Sequence, residues 1–171
     1  MKKTVLTWGF LAGGVSAAMM LATLTVADSI GFEWGEVIGY TMIVLSSLLV
    51  FFGVRSYRQA KGGPLGFGRA FAVGLLITLI SCACYVATWE LVYFKLAPGF
   101  VDKYGAHMIA TARAKGASPE KLAAVSRQIQ EMKRLYDNPL TNAAVTFLEP
   151  LPIGLLAALL SAGVLRRRGP A

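Results

Sequence analysis

Histidine occurs once in this chain, cysteine twice, and charged side chains make up only 15% of its 171 residues. Each scarcity removes a class of function. His107 stands alone, with no second histidine or cysteine to complete a tetrahedral metal site. Cys82 and Cys84 lie two residues apart in one apolar run, about 200° apart around a helix, so they neither bridge each other nor share a metal. They read as small interior residues. No serine, cysteine or histidine arrangement marks a nucleophile with its base, although spacing leaves open a site assembled between distant segments. No catalytic, metal-binding or cofactor-binding residue is therefore assigned, no cofactor is expected, and an enzyme is the lesser expectation.

Apolar residues are abundant: 56% of the chain is hydrophobic, whereas soluble domains carry about 25% charged residues. The excess falls in long runs. Residues 4–27, 37–54 and 70–89 contain no charge, and 138–165 contain only Glu149. About 20 apolar residues at 1.5 Å each cross a hydrocarbon core of about 30 Å. The expected fold is thus an all-α, polytopic membrane protein of four transmembrane helices, spanning about 4–27, 37–54, 68–93 and 143–165. It forms a single membrane domain over 1–171, with an outer helical loop over 95–142.

The net charge of +8 does not indicate nucleic acid, because a nucleic-acid binder needs a basic face on a soluble module. Here the bases sit at membrane boundaries. Lys2 and Lys3 precede span one; Arg55, Arg58, Lys61 and Arg69 lie between spans two and three; Arg166, Arg167 and Arg168 follow span four. The first loop on the other side holds Asp28, Glu33 and Glu36 and no base. Positive residues are retained on the cytoplasmic side, so both termini are expected in the cytoplasm of a bacterial inner membrane. The long loop, with eight bases and four acids intermixed, is expected outside. The first run, with small residues at Thr25, Val26 and Ala27, exceeds the 7 to 15 apolar residues of a signal core. It is read as a span.

Small residues recur every four positions: Gly9, Gly13 and Ala17; Gly14, Ala18 and Ala22; Gly66, Ala70, Gly74, Thr78 and Cys82; Gly154, Ala158 and Ala162. Such lines let helix backbones approach closely. They serve packing within the bundle or, as the alternative, a dimer seam. The glycine-rich turn from Gly62 to Gly68 lacks the Lys-Ser/Thr pair and the preceding strand of a phosphate loop. It reads as a basic turn facing anionic headgroups.

The outer loop has the pattern of two short helices. The first runs from about Pro98 to Ala114 and stops at Gly116. The second is capped by Ser118 with Pro119 at its first position, and carries Leu122, Val125, Ile129, Met132 and Tyr136 at spacings of three and four. Lys121, Arg127, Glu131 and Arg134 occupy its opposite face. The apolar stripe has three candidate supports: the first helix, the lipid interface, or a partner protein.

Ionisable groups within spans are costly and often functional, so Glu90 and Glu149 are the candidate functional residues, with Pro150 and Pro152. Glu90, beside Trp89 and Tyr93, falls in the aromatic belt at the outer boundary and reads first as a wet structural residue. Glu149 lies about 25 Å from Arg166 along an ideal helix. Pro150 and Pro152 remove two backbone donors and favour a break at its side. Broken helices bearing a carboxylate hold cations or protons in some transporters. The plainer reading is that Glu149 anchors a helix end.

The stretch Leu65-Gly66-Phe67-Gly68-Arg69-Ala70-Phe71 with Gly74 and Tyr85, and the closing Phe147-Leu148-Glu149-Pro150-Leu151-Pro152-Ile153-Gly154-Leu155 before a basic tail, resemble the bacterial domain of unknown function family 4199. The resemblance covers nearly the whole chain. It implies a small four-helix membrane protein and brings no activity, substrate or catalytic residue. The leading functional expectation is a non-enzymatic accessory or interaction protein, with the bilayer and a second membrane protein or another copy as partners. A small transporter or channel subunit using Glu149 is the first alternative, and a membrane enzyme acting on lipid or quinone the second.

Overall fold

A helix satisfies its backbone polar groups internally, which is the condition for crossing hydrocarbon. The computed structural model describes the backbone of residues 1–166 and their side chains apart from 25–30, 32, 33 and 36. The side chains of the acids Asp28, Glu33 and Glu36, and the tail residues Arg167 and Arg168 altogether, lie outside what is described. Four segments are long and apolar enough to cross a membrane: Lys2–Leu24, Val37–Lys61, Phe67–Leu96 and Pro139–Leu165. The chain is an all-α, multi-pass membrane protein.

Helix α1 (Lys2–Lys61) carries the first two of these segments and has its interior break at Gly31, with φ 75° and ψ 165°. Glycine alone adopts that conformation without steric cost. Residues at similar distances on either side of it come together. Trp8 stacks near Phe52, with ring centroids 6.5 Å apart, and Ser16 lines a cavity together with Ser46. The arms 2–30 and 32–61 therefore run antiparallel. A loop is expected over the acids between these spans, yet the backbone stays helical on both sides of Gly31. One residue outside the helical region redirects the axis without releasing the turns beside it. The second arm ends at Gly62, whose left-handed conformation (φ 65°) lets its N–H reach the Gln59 carbonyl.

Helix α2 (Phe67–Leu91) passes into one π-helical turn, Val92–Leu96. Then follow α3 (Phe100–Ala114), α4 (Pro119–Asp137), α5 (Pro139–Leu148) and α6 (Leu151–Leu165). The chain divides into two compact units: Met1–Thr88 together with Phe147 onward, and Trp89–Thr146.

The first unit is a helix bundle around Val50, Val54, Val73, Ile77, Ala158 and Ala162. Hydrocarbon offers no hydrophobic drive for helices to associate, so close approach supplies the packing. A methyl group added to Gly74 would stand 2.9 Å from Ala158 Cβ, and one on Gly13 would stand 2.5 Å from Cys84 Cβ. These small-residue lines are used inside the chain. The neighbouring line of α1 lies at the surface: Gly14, Ala18 and Ala22 are exposed, with open space around Gly14.

In the second unit α4 lies on α3. Ser118 accepts the Lys121 N–H and Pro119 occupies the first turn. Leu122, Val125, Ile129, Met132 and Tyr136 are all half-buried, whereas Lys121, Arg127, Glu131 and Arg134 are exposed. Gly105 gives the stripe room, since a side chain there would stand 2.6 Å from Ile129 Cγ2. Of the three supports open to the stripe, α3 is thus the one that Ile129 meets.

Candidate functional site

Helices α5 and α6 form one span interrupted at Glu149 and Pro150. Neither Pro150 nor Pro152 has an N–H, so the carbonyls four residues earlier lose their helical donors. The helix restarts when Gly154 N–H reaches the Pro150 carbonyl at 3.0 Å. Pro150 is buried, while Glu149 and Pro152 are exposed in the isolated chain. Glu149 Oε2 accepts a hydrogen bond from the Tyr85 hydroxyl at 3.2 Å. The break expected from the prolines therefore exists, and it presents its carboxylate to a phenol on α2.

Tyr85 also lines a cavity of about 10 Å³ inside the first unit, the space of roughly one water. All four spanning segments contribute to it. Ser16 comes from the first arm of α1, Ser46 and Ser47 from the second, Thr78 and Ser81 from α2, and Pro150 with Gly154 from the last span. Thr78 donates to the Gly154 carbonyl at 3.2 Å, Ser16 to Ala12 at 3.2 Å and Ser46 to Ile43 at 3.0 Å. The Thr78 bond needs glycine opposite it, because any β-carbon at position 154 would collide with Thr78 Cγ2. Thr78 lies nine residues after Arg69 and Ser47 eight before Arg55, about 12 to 14 Å along their helices. That is near the middle of a hydrocarbon core of about 30 Å. A carboxylate bonded to a phenol can hold a proton or a cation.

A second polar centre lies in the other unit, around Asn142, which is fully buried. Its Oδ1 accepts from Trp89 Nε1 at 3.1 Å and from Thr146 Oγ1 at 3.1 Å, and its Nδ2 donates to the Tyr136 carbonyl at 3.0 Å. Phe100 and Tyr136 meet the Trp89 ring edge to face, with centroids 5.3 and 6.3 Å away. Tyr93 donates to Asp137 at 3.0 Å. Asn138 caps α5 by accepting the Leu140 N–H at 2.9 Å. On the exposed rim Lys133 pairs with Asp102, whose carboxylate holds the ammonium above the usual lysine range. The Ser118 hydroxyl holds Glu120 below the usual carboxylate range.

Glu90 stands at the end of α2, half-buried, and its Oε1 is buried with no hydrogen-bond partner among the described residues. Glu90 belongs to the second unit and Glu149 to the first. His107 is half-buried on α3, and no cluster of three metal-ligating side chains occurs among the described residues. Cys82 is buried and Cys84 half-buried, both as free thiols. Sequence reasoning missed Asn142 and the hydroxyl seam. The available signal was an amide four residues into an apolar run that starts at Asn138, since polar groups within spans face protein.

Residues 7–167 match the family described as protein of unknown function (DUF4199). The chain belongs to that family. No curated protein and no solved structure matches it. The Tyr85–Glu149 bond and the glycine contact at Thr78 of this DUF4199 chain both fall within the matched span.

Proposed function

We propose that this DUF4199 chain is a non-enzymatic protein of the bacterial cytoplasmic membrane, working through contact with a second membrane protein. Its termini lie in the cytoplasm, with α3 and α4 on the opposite side. The observation that carries the reading is the tightness of the first unit. The cavity described there has room for about one water, too little for a lipid, a quinone or an organic solute. The chain's surfaces are then what it has to act with. Orientation is supported by the basic ends at Lys2, Lys3, Arg55, Arg58, Lys61, Arg69 and Arg166, and a docking role for the α3–α4 pair by the exposed charges of α4.

Native mass spectrometry after mild-detergent extraction tests this. A defined partner protein, retained by wild type and by Glu149→Gln alike, is the expected result. Solute flux by the purified, partner-free protein in liposomes would overturn the reading. A second reading, a transporter or channel subunit assembled as an oligomer, is favoured by one observation: the Tyr85–Glu149 hydrogen bond at a proline-broken span. Flux that depends on Glu149 would establish it.

A further inference from the structure

The cavity in the first unit is selective in the polarity it offers. A hydroxyl has one proton to donate and two lone pairs. The protons of Ser16, Ser46 and Thr78 go to backbone carbonyls, and that of Tyr85 goes to Glu149. What these three aliphatic hydroxyls have left for the cavity is lone pairs. Ser47 and Ser81 add two more oxygens to the wall. Such a wall is rich in oxygen lone pairs, which suits a cation, and its serines Ser47 and Ser81 can turn their hydroxyl protons away from one. A cation in hydrocarbon also needs a counter-charge. Glu149, held by the cavity residue Tyr85 and adjacent to the cavity residue Pro150, is the carboxylate that supplies one.

We infer that this hydroxyl-lined cavity, whose wall includes Tyr85, the partner of Glu149, is a binding site for one dehydrated monovalent metal cation of sodium size. Size sets the choice, because a space of about 10 Å³ admits a body no larger than a water, which a bare sodium ion is and a hydrated one is not. Charge sets the valence, because a single carboxylate balances one positive charge. Depth agrees, since membrane cation sites built from broken helices and side-chain oxygens lie near the midplane. The site is distinct from the partner-contact role proposed above and does not depend on it.

The test uses the full-length protein in detergent, moved from choline chloride to sodium chloride at constant ionic strength. Thermal unfolding is followed by tryptophan fluorescence, and binding directly with radioactive sodium. A ligand of the folded state alone raises Tm saturably, so sodium is expected to raise it, potassium less, and choline not at all. Ser47→Ala and Glu149→Gln should each weaken sodium binding by at least about tenfold, the loss of one interaction with a charge. Leu140→Ala, at a residue 82% exposed in the other unit, should leave it unchanged. Equal responses to sodium and choline, or sodium binding untouched by both substitutions, would overturn the site and leave a cavity filled by water. Should Glu149→Gln fail to fold, Ser47→Ala removes one oxygen only, and the wild-type binding measurement still decides. Partner capture is read in a separate experiment, so failure of one proposal does not imply failure of the other.

Discussion

The two units of this chain solve the same packing problem in opposite ways. In the bundle, helix α6 is apolar all round, and contact is selected by size: glycine or alanine where backbones meet, leucine where they do not. Leu156 and Leu160 are 57% and 59% exposed, while Ala158 and Ala162 are fully buried. In the second unit α4 is sharply two-faced, and contact is selected by polarity, with a half-buried apolar stripe and charges opposite. The difference follows from the solvent each helix meets. Lipid tails are as apolar as leucine, so burial there brings little and shape decides; water rewards burial of apolar area directly.

The contrast should break most visibly at Gly154. Gly154→Val drives a branched side chain into Thr78, and is expected to destabilise the bundle by upward of about 3 kcal/mol, the upper end of the usual cost of overpacking. Gly14→Val, placed in open space, should have little effect. Unfolding titrations of both in mixed micelles check the pair, and equal losses would mean that the small-residue lines are not selected by contact.

Asn142→Leu sharpens the other half of the comparison. It keeps the volume but removes the partner of Trp89 Nε1 and of the Tyr136 carbonyl. An expected loss of about 2 kcal/mol follows from buried polar groups left unpaired. The Trp89 fluorescence should shift with it, and an unchanged spectrum would argue against the hydrogen bond.

The smallest effect belongs to the exposed Lys133–Asp102 pair. Exposed pairs contribute little and are screened by salt, so Lys133→Met should be nearly neutral. The lysine is held above its ordinary range by Asp102. Its contribution is therefore complete below the ordinary lysine value of about 10.4 and lost as pH rises through the higher folded-state value. In alkaline titration the small stability difference between wild type and Lys133→Met should persist below that range and vanish as pH rises through it.

Much of the fold was legible because the relevant physics is local. The spans show themselves through missing charge, the α4 cap through Ser118 and Pro119, and the break in the last span through Pro150 and Pro152. The start of the last segment was less legible: it begins at Pro139, where Asn138 caps the turn, rather than at 143. Gly31 was legible only as part of the acidic loop between the first two spans, not as a single break in backbone that is helical on both sides. Ser16, Ser46 and Thr78 each look like ordinary span hydroxyls bonded to backbone.

Composition and periodicity by themselves determined that this chain carries four segments able to cross a membrane, and which face of α4 is apolar, because transfer of charge and apolar area between water and hydrocarbon depends on the residues and their order. Only the tertiary structure decided that Tyr85 meets Glu149, that Thr78 meets Gly154, and that hydroxyls from three spanning segments line one small cavity. Those meetings depend on helix register and rotation, which many weak contacts set together and no single stretch of residues specifies.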